Sequence, residues 1–112
     1  MEFDNNKAIY LQISDNICSR ILSGMLVTGG RIPSVREWGA EIGVNPNTVA
    51  RSYEVLTDMG VIYQKRGIGF FVAEDARQRI LEVQKRQFLE QELPAFLKKA
   101  GLLGVNLSDY IK

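Results

Sequence analysis

The sequence contains no histidine and a single cysteine, Cys18. The first absence removes the Ser/His and Cys/His catalytic pairs, the Cys/His zinc sites and the commonest general base. The second excludes an internal disulfide, which fits a reducing cytoplasm. Cys18 itself reads as a small residue beside an apolar stripe, not as a reactive thiol. No apolar run approaches the roughly 18 residues of a membrane span. The start, MEFDNNK, lacks a cationic stretch followed by an apolar one, so no signal peptide is expected. Neither a cofactor nor a metal is expected. Excess charge of one sign is missing too: 14 Lys and Arg against 13 Asp and Glu leave a net +1. Residues 1–75 carry −2 and residues 76–112 carry +3. A nucleic-acid partner would have to be met by locally placed Arg and Lys, not by a general basic field.

What is present is an ordinary globular composition, 46% hydrophobic and 24% charged over 112 residues. That suits a small domain with an extension. Ile9, Ile13, Ile17 and Ile21 recur every four residues and predict a helix over 7–23, with Asn5 or Asn6 capping it and Gly24 closing it. A turn and a short extended piece follow over 27–33. Ser34 and Glu37 have the spacing of a capping box and predict a short helix over 35–42, ending at Gly43, with Val35, Trp38 and Ile42 on one side. Asn45 then serves as an N-cap and Pro46 as a first helical residue. This third helix is predicted to run to about Met59 and to turn Val49, Tyr53 and Leu56 inward. Two short helices joined by a tight Gly-Val-Asn turn make a helix-turn-helix.

After Gly60 the apolar period falls from about 3.6 to about 2. Strands are predicted over 61–64 and 70–73, joined by the glycine-rich tip Lys65-Arg66-Gly67-Ile68-Gly69. A hairpin directly behind a helix-turn-helix is a wing. From Asp75 a long helix is predicted, with Ile80, Leu81, Val83, Phe88, Leu89, Leu93, Phe96 and Leu97 on its apolar face. Pro94 should bend or interrupt it near Glu92–Leu93, Gly101 and Gly104 should break it, and Asn106 or Ser108 should cap a last turn. The fold class is therefore α+β, mostly α: a winged helix-turn-helix over 1–74, then a helical dimerisation tail over 75–112.

The polar start of the third helix carries Asn45, Asn47 and Thr48, with Arg51 one turn on. Asparagine and arginine can bond adenine and guanine edges bidentately in a major groove. Backbone N–H groups at the same helix start could hold a phosphate. Arg36 would project to the same groove, and Lys65 and Arg66 suit phosphates or the minor groove, with Gly67 letting the tip backbone come close. Taken singly, each has a plainer reading: Asn45 and Thr48 as caps, Arg36, Lys65 and Arg66 as solvated surface. The ordered combination is more specific than any part.

Four stretches, Ile9-Tyr10-Leu11-Gln12-Ile13, Arg31-Ile32-Pro33-Ser34-Val35-Arg36-Glu37, Gly43–Arg51, and Lys65–Gly69 with Phe71-Val72, together resemble the GntR family of bacterial regulators over residues 8–73. The resemblance implies a winged helix that binds operator DNA as a dimer, with Arg36, Asn45, Asn47, Thr48 and Gly67 at the DNA. Pro46 and Ala50 replace DNA-contacting arginines of some subfamilies, so those contacts do not carry over. Trp38 stands for a usual leucine, Gly30 for an aspartate and Phe70 for a threonine. Only about forty residues follow the wing, which is similar to the YtrA subfamily, whose members dimerise through C-terminal helices and often control transporter genes. Phe88, Leu89, Leu93, Phe96 and Leu97 have too little chain around them to be covered, and a second copy is the simplest cover; the competing arrangement folds the tail back on its own domain. A small-molecule effector would have to bind at the dimer junction or between tail and wing. The rival function is a protein-interaction module that does not touch DNA.

Overall fold

The computed structural model describes residues 1–111, and Lys112, the last residue of the expected tail, lies outside them. It has two compact units, Met1–Ile80 and the chain from Leu81 onward.

The first unit opens with α1, Ile9–Leu22. Its four-residue stripe delivers Ile13, Ile17 and Ile21 to the core, with Cys18 beside them. Burial pushes the Cys18 thiol up to about 11, and the charge of Asp15 adds to the shift, so the sulfur stays neutral. Neither Asn5 nor Asn6 caps this helix: the cap residue is Ala8, with no side-chain bond. Gln12 instead reaches back, its amide donating to the carbonyls of Asp4 and Lys7 and its oxygen accepting from the Asp4 N–H. The arm before the helix is thus tied to the helix flank. Gly24 closes α1 with φ +84, as its position led one to expect.

Strand β1 (Arg31–Ile32) leads to α2 (Val35–Ile42), whose capping box forms as the Ser34/Glu37 spacing requires. Gly43 adopts φ +72 and ends it. Helix α3 spans Pro46–Asp58, and strands β2 (Ile62–Lys65) and β3 (Gly69–Val72) form the hairpin. The sheet order is β1-β3-β2, all antiparallel, with Arg31 opposite Phe71 and Lys65 opposite Gly69. The extended piece at 31–32 was expected, but its pairing to the wing depends on a partner forty residues away. Trp38, Val49, Tyr53, Leu56, Val61, Ile62 and Val72 complete one core. Two residues of α4 (Ala76–Gln87), Ala76 and Ile80, also sit in it, which carries this unit past residue 74. The result is a winged helix-turn-helix.

In the second unit the helix is interrupted near Glu92–Leu93, as Pro94 led one to expect. It passes through a π-helical stretch, Phe88–Glu92, and restarts as α5, Leu93–Leu102, with Pro94 in its first turn. The chain stays helical across the join, so Pro94 removes a hydrogen bond there, and the wider π turn before it marks where the ladder is interrupted. Gly101 does not break the chain, since α5 continues through it. Gly104, at φ +70, does. Asn106 caps the final short turn, Leu107–Asp109, by accepting from the Ser108 N–H at 3.1 Å. No helix of the described residues is long and apolar enough to cross a membrane.

Candidate nucleic-acid interface

The interface is built on how closely α2 and α3 approach. A Cβ on Gly39 would lie 2.6 Å from the Val44 carbonyl oxygen and 3.5 Å from the Pro46 nitrogen. Only a glycine lets the turn Gly43–Asn45 fold this tightly against α2. Nothing in the sequence marks Gly39 as special, because a glycine inside a helix reads merely as a weak position.

Helix α3 is then fixed from three sides. The Ser52 hydroxyl, wholly buried, donates to the Tyr10 carbonyl at 2.7 Å and ties α3 to α1. The Tyr53 hydroxyl donates to the Pro33 carbonyl before α2, and its ring meets Phe70 of the wing edge-on at 4.9 Å. Burial pushes the Tyr53 phenol far up, with the Glu37 charge adding to the effect, so it remains a donor. Side chains carried by α3 are therefore mounted rigidly relative to α1, α2 and the hairpin, as a reader of a groove must be.

The edge so mounted is polar. Asn45 and Asn47 are exposed and Thr48 is half-buried. The Asn45 oxygen is occupied: it accepts from the Asn47 N–H at 2.8 Å as the α3 cap. Only its NH₂ group is left for a ligand. The backbone at this helix start is spent as well, contrary to expectation. Pro46 has no N–H, that of Asn47 bonds the cap, and that of Thr48 donates to the Asn45 carbonyl at 2.9 Å. The cations near this edge are side chains. Arg36 is exposed in the first turn of α2. Arg51 is exposed on α3. Its guanidinium carbon sits 4.1 Å from the centroid of the Tyr10 ring.

The wing tip is Arg66-Gly67-Ile68, between the paired Lys65 and Gly69. Gly67 takes φ +76, and a Cβ there would meet nothing within 4 Å, so the glycine serves backbone shape. Lys65, Arg66 and Gly67 are all exposed. Tyr63 and Phe71 stack at 5.9 Å, and the Lys65 ammonium lies 4.6 Å from the Phe71 ring centroid. The aromatic pair steadies a cation that would otherwise sweep freely. The sequence showed the interface cations but not these aromatic seats, because the contacts join different elements or strands. Among the described residues no group of three or more Cys, Asp or Glu could hold a metal ion.

In the second unit Phe88, Leu89, Phe96 and Leu97 are each about half exposed, at 48%, 53%, 56% and 48%, and Leu93 is half-buried. These residues of the apolar face expected for the tail keep surface in water, whereas Ile80 of that face is buried in the core of the first unit.

Residues 9–72 match the family described as bacterial regulatory proteins, gntR family. The chain is 35% identical over 99% of its length to an uncharacterized HTH-type transcriptional regulator, YhcF, of Bacillus subtilis, covering 90% of it. It is 34% identical over 88% of its length to the HTH-type transcriptional repressor YtrA of the same organism, covering 75% of it. A crystal structure of a GntR-family regulator from Bacteroides thetaiotaomicron is similar over 91% of this chain and 88% of its own, with TM-score 0.77 and 50% identity. AraR(DBD) in complex with operator ORR3 is similar over 65% of this chain and 86% of its own, with TM-score 0.58 and 30% identity.

Proposed function

Because the chain belongs to the gntR family of bacterial regulatory proteins, we propose that this transcription regulator binds a near-palindromic operator as a homodimer and represses the genes behind it. One observation carries the reading: a polar, solvent-facing edge at the start of α3, rigidly mounted beside Arg36 and a cation-bearing, glycine-tipped wing. Asn47, Thr48 and the free NH₂ of Asn45 face base edges, with Arg36 and Arg51 beside them. Lys65, Arg66 and the Gly67 backbone meet the flanking groove. The uncovered tail face of Phe88, Leu89, Leu93, Phe96 and Leu97 pairs two copies, which sets two α3 helices in successive major grooves. The operator-bound AraR neighbour supports duplex DNA as the partner. YtrA, named as a repressor, supports the sign of control. The resemblance of the short tail to the YtrA subfamily makes transporter genes the targets we favour. The site of action is the cytoplasm, where the DNA is.

The test begins with operators selected from random duplex DNA, which should show two half-sites about one helical turn apart. On such a duplex, Arg36→Ala and Asn47→Ala should each weaken binding by about 1–3 kcal/mol, roughly 5- to 150-fold. Both positions are exposed, so the melting temperature should stay put. Wild-type affinity in both variants refutes the site. The near-neutral charge favours one rival, a protein-docking module, and binding to a protein but to no duplex at low salt would establish it.

A further inference from the structure

Arg51 stands one turn beyond Asn47 on the same face of α3, yet its guanidinium is drawn back to Tyr10, the second residue of α1. We infer that Tyr10 is a positioning residue that holds Arg51 ready to clamp a DNA backbone phosphate beside the groove that α3 enters. The inference rests on the DNA-binding reading above and adds to it a residue and a division of labour.

Three observations carry it. The guanidinium carbon lies over the ring, 4.1 Å from its centroid. A cation–π contact leaves N–H groups of the guanidinium over for a bidentate acceptor. Among the described residues no hydrogen bond or ion pair occupies them, while Arg51 remains exposed. The second observation is that the backbone carrying that ring is held on both sides. The Tyr10 carbonyl accepts from the hydroxyls of Ser14, at 2.9 Å, and of Ser52, at 2.7 Å. Adjacent α3 residues, Arg51 and Ser52, thus grip the ring and the backbone of one α1 residue. Third, the α3 start has no free backbone N–H for a phosphate in its first turn, so an anchor must come from a side chain. A guanidinium withdrawn toward α1 suits the phosphate line along the groove edge, while Asn47 and Thr48 keep the base edges. An arginine left free would pay rotamer entropy on meeting DNA, and Tyr10 has removed part of that cost beforehand.

The experiment uses the full-length protein, a fluorescein-labelled mixed-sequence duplex and anisotropy over a series of KCl concentrations. Arg51→Ala should flatten the slope of log Kobs against log salt by about 0.9, one phosphate's worth. Tyr10→Leu should weaken binding roughly 2- to 5-fold, the worth of an exposed cation–π contact. It should do nothing further when Arg51 is already alanine. Tyr10→Phe should restore wild-type binding, because the ring and not the hydroxyl holds the cation. Should Tyr10→Leu fail to fold, stepwise fluorination of a phenylalanine at position 10 keeps the shape and drains the ring's negative face. Affinity should then fall with each fluorine. Unchanged or tighter binding in Tyr10→Leu, an equal loss with and without Arg51, or no trend with fluorination overturns the inference while DNA binding stands. Failure of the wild type to bind any duplex at low salt overturns both.

Discussion

A methyl group at position 39 has nowhere to go. It would stand 2.6 Å from a backbone oxygen, and neither Val44 nor α2 can yield without opening the turn that aims α3. Alanine is ordinarily the better helix former by about 1 kcal/mol. Here overpacking against backbone, about 1–3 kcal/mol, outweighs it. Gly39→Ala should therefore lower the melting temperature by several degrees, read by circular dichroism, although a propensity scale points the other way. A raised melting temperature would show that the turn has slack. Gly101 makes the contrast. It sits inside α5 with nothing within 4 Å of where a Cβ would be. The sequence places Gly39 inside a helix and Gly101 at a break, and only the neighbour across space shows which of them has no room for a methyl group.

At the scale of the element, legibility tracked how local the determining interaction is. The α2 cap lies within four consecutive residues, and the structure forms it as written. The Ser34 N–H donates to the Glu37 carboxylate at 3.2 Å, and the Glu37 N–H donates to the Ser34 hydroxyl at 3.1 Å. The Ser34 backbone and then its hydroxyl hold the Glu37 carboxyl below its ordinary value of 4.5. A carboxyl whose folded value is lowered stabilises the fold above its unfolded value, and that contribution is lost as the pH falls through the folded one. Glu37→Gln should thus flatten the acid side of the stability curve. Thermal melts at about pH 7 and about pH 3 should differ more for the wild type than for the variant. Equal differences would mean that the box contributes no ionic part. The α1 start misled for the opposite reason. Its two asparagines suit a cap locally, but Gln12 binds the arm from within the helix, and the choice between them is made by packing. The same holds for β1, which is a strand only because β3 lies beside it.

Across the whole molecule, the feature without an internal explanation is the tail's apolar face. Phe96 and Leu97 on α5, and Phe88 and Leu89 in the π-helical stretch, keep about half their surface in water. Such a cluster is costly in a monomer and ordinary at an isologous interface. Phe96→Glu combined with Leu97→Glu should leave the first unit folded, since its core contains neither residue. Light scattering should then give the mass of one chain, against two for the wild type if the proposed pairing holds. DNA affinity should fall together with the lost mass, because two half-sites are no longer held by one particle. A wild type that is monomeric at all working concentrations would remove the dimer from the proposed function.

The chain by itself determined what adjacent residues can decide. The apolar period set helices and strands, the Ser34–Glu37 and Asn45–Pro46 pairs set where α2 and α3 begin, and the two-glycine tip set the hairpin. Their order set the winged helix-turn-helix, and the polar α3 start marked the candidate interface. What only the tertiary structure decided involves partners remote in sequence: Gly39 against the turn, Ser52 and Arg51 on Tyr10, Tyr53 on Pro33, and β1 on the wing. The physical reason is that a periodicity or a cap is satisfied within a few residues. A close approach, a stacked cation or a buried hydroxyl is defined only by the atom on the other side, and that atom is brought there by the fold.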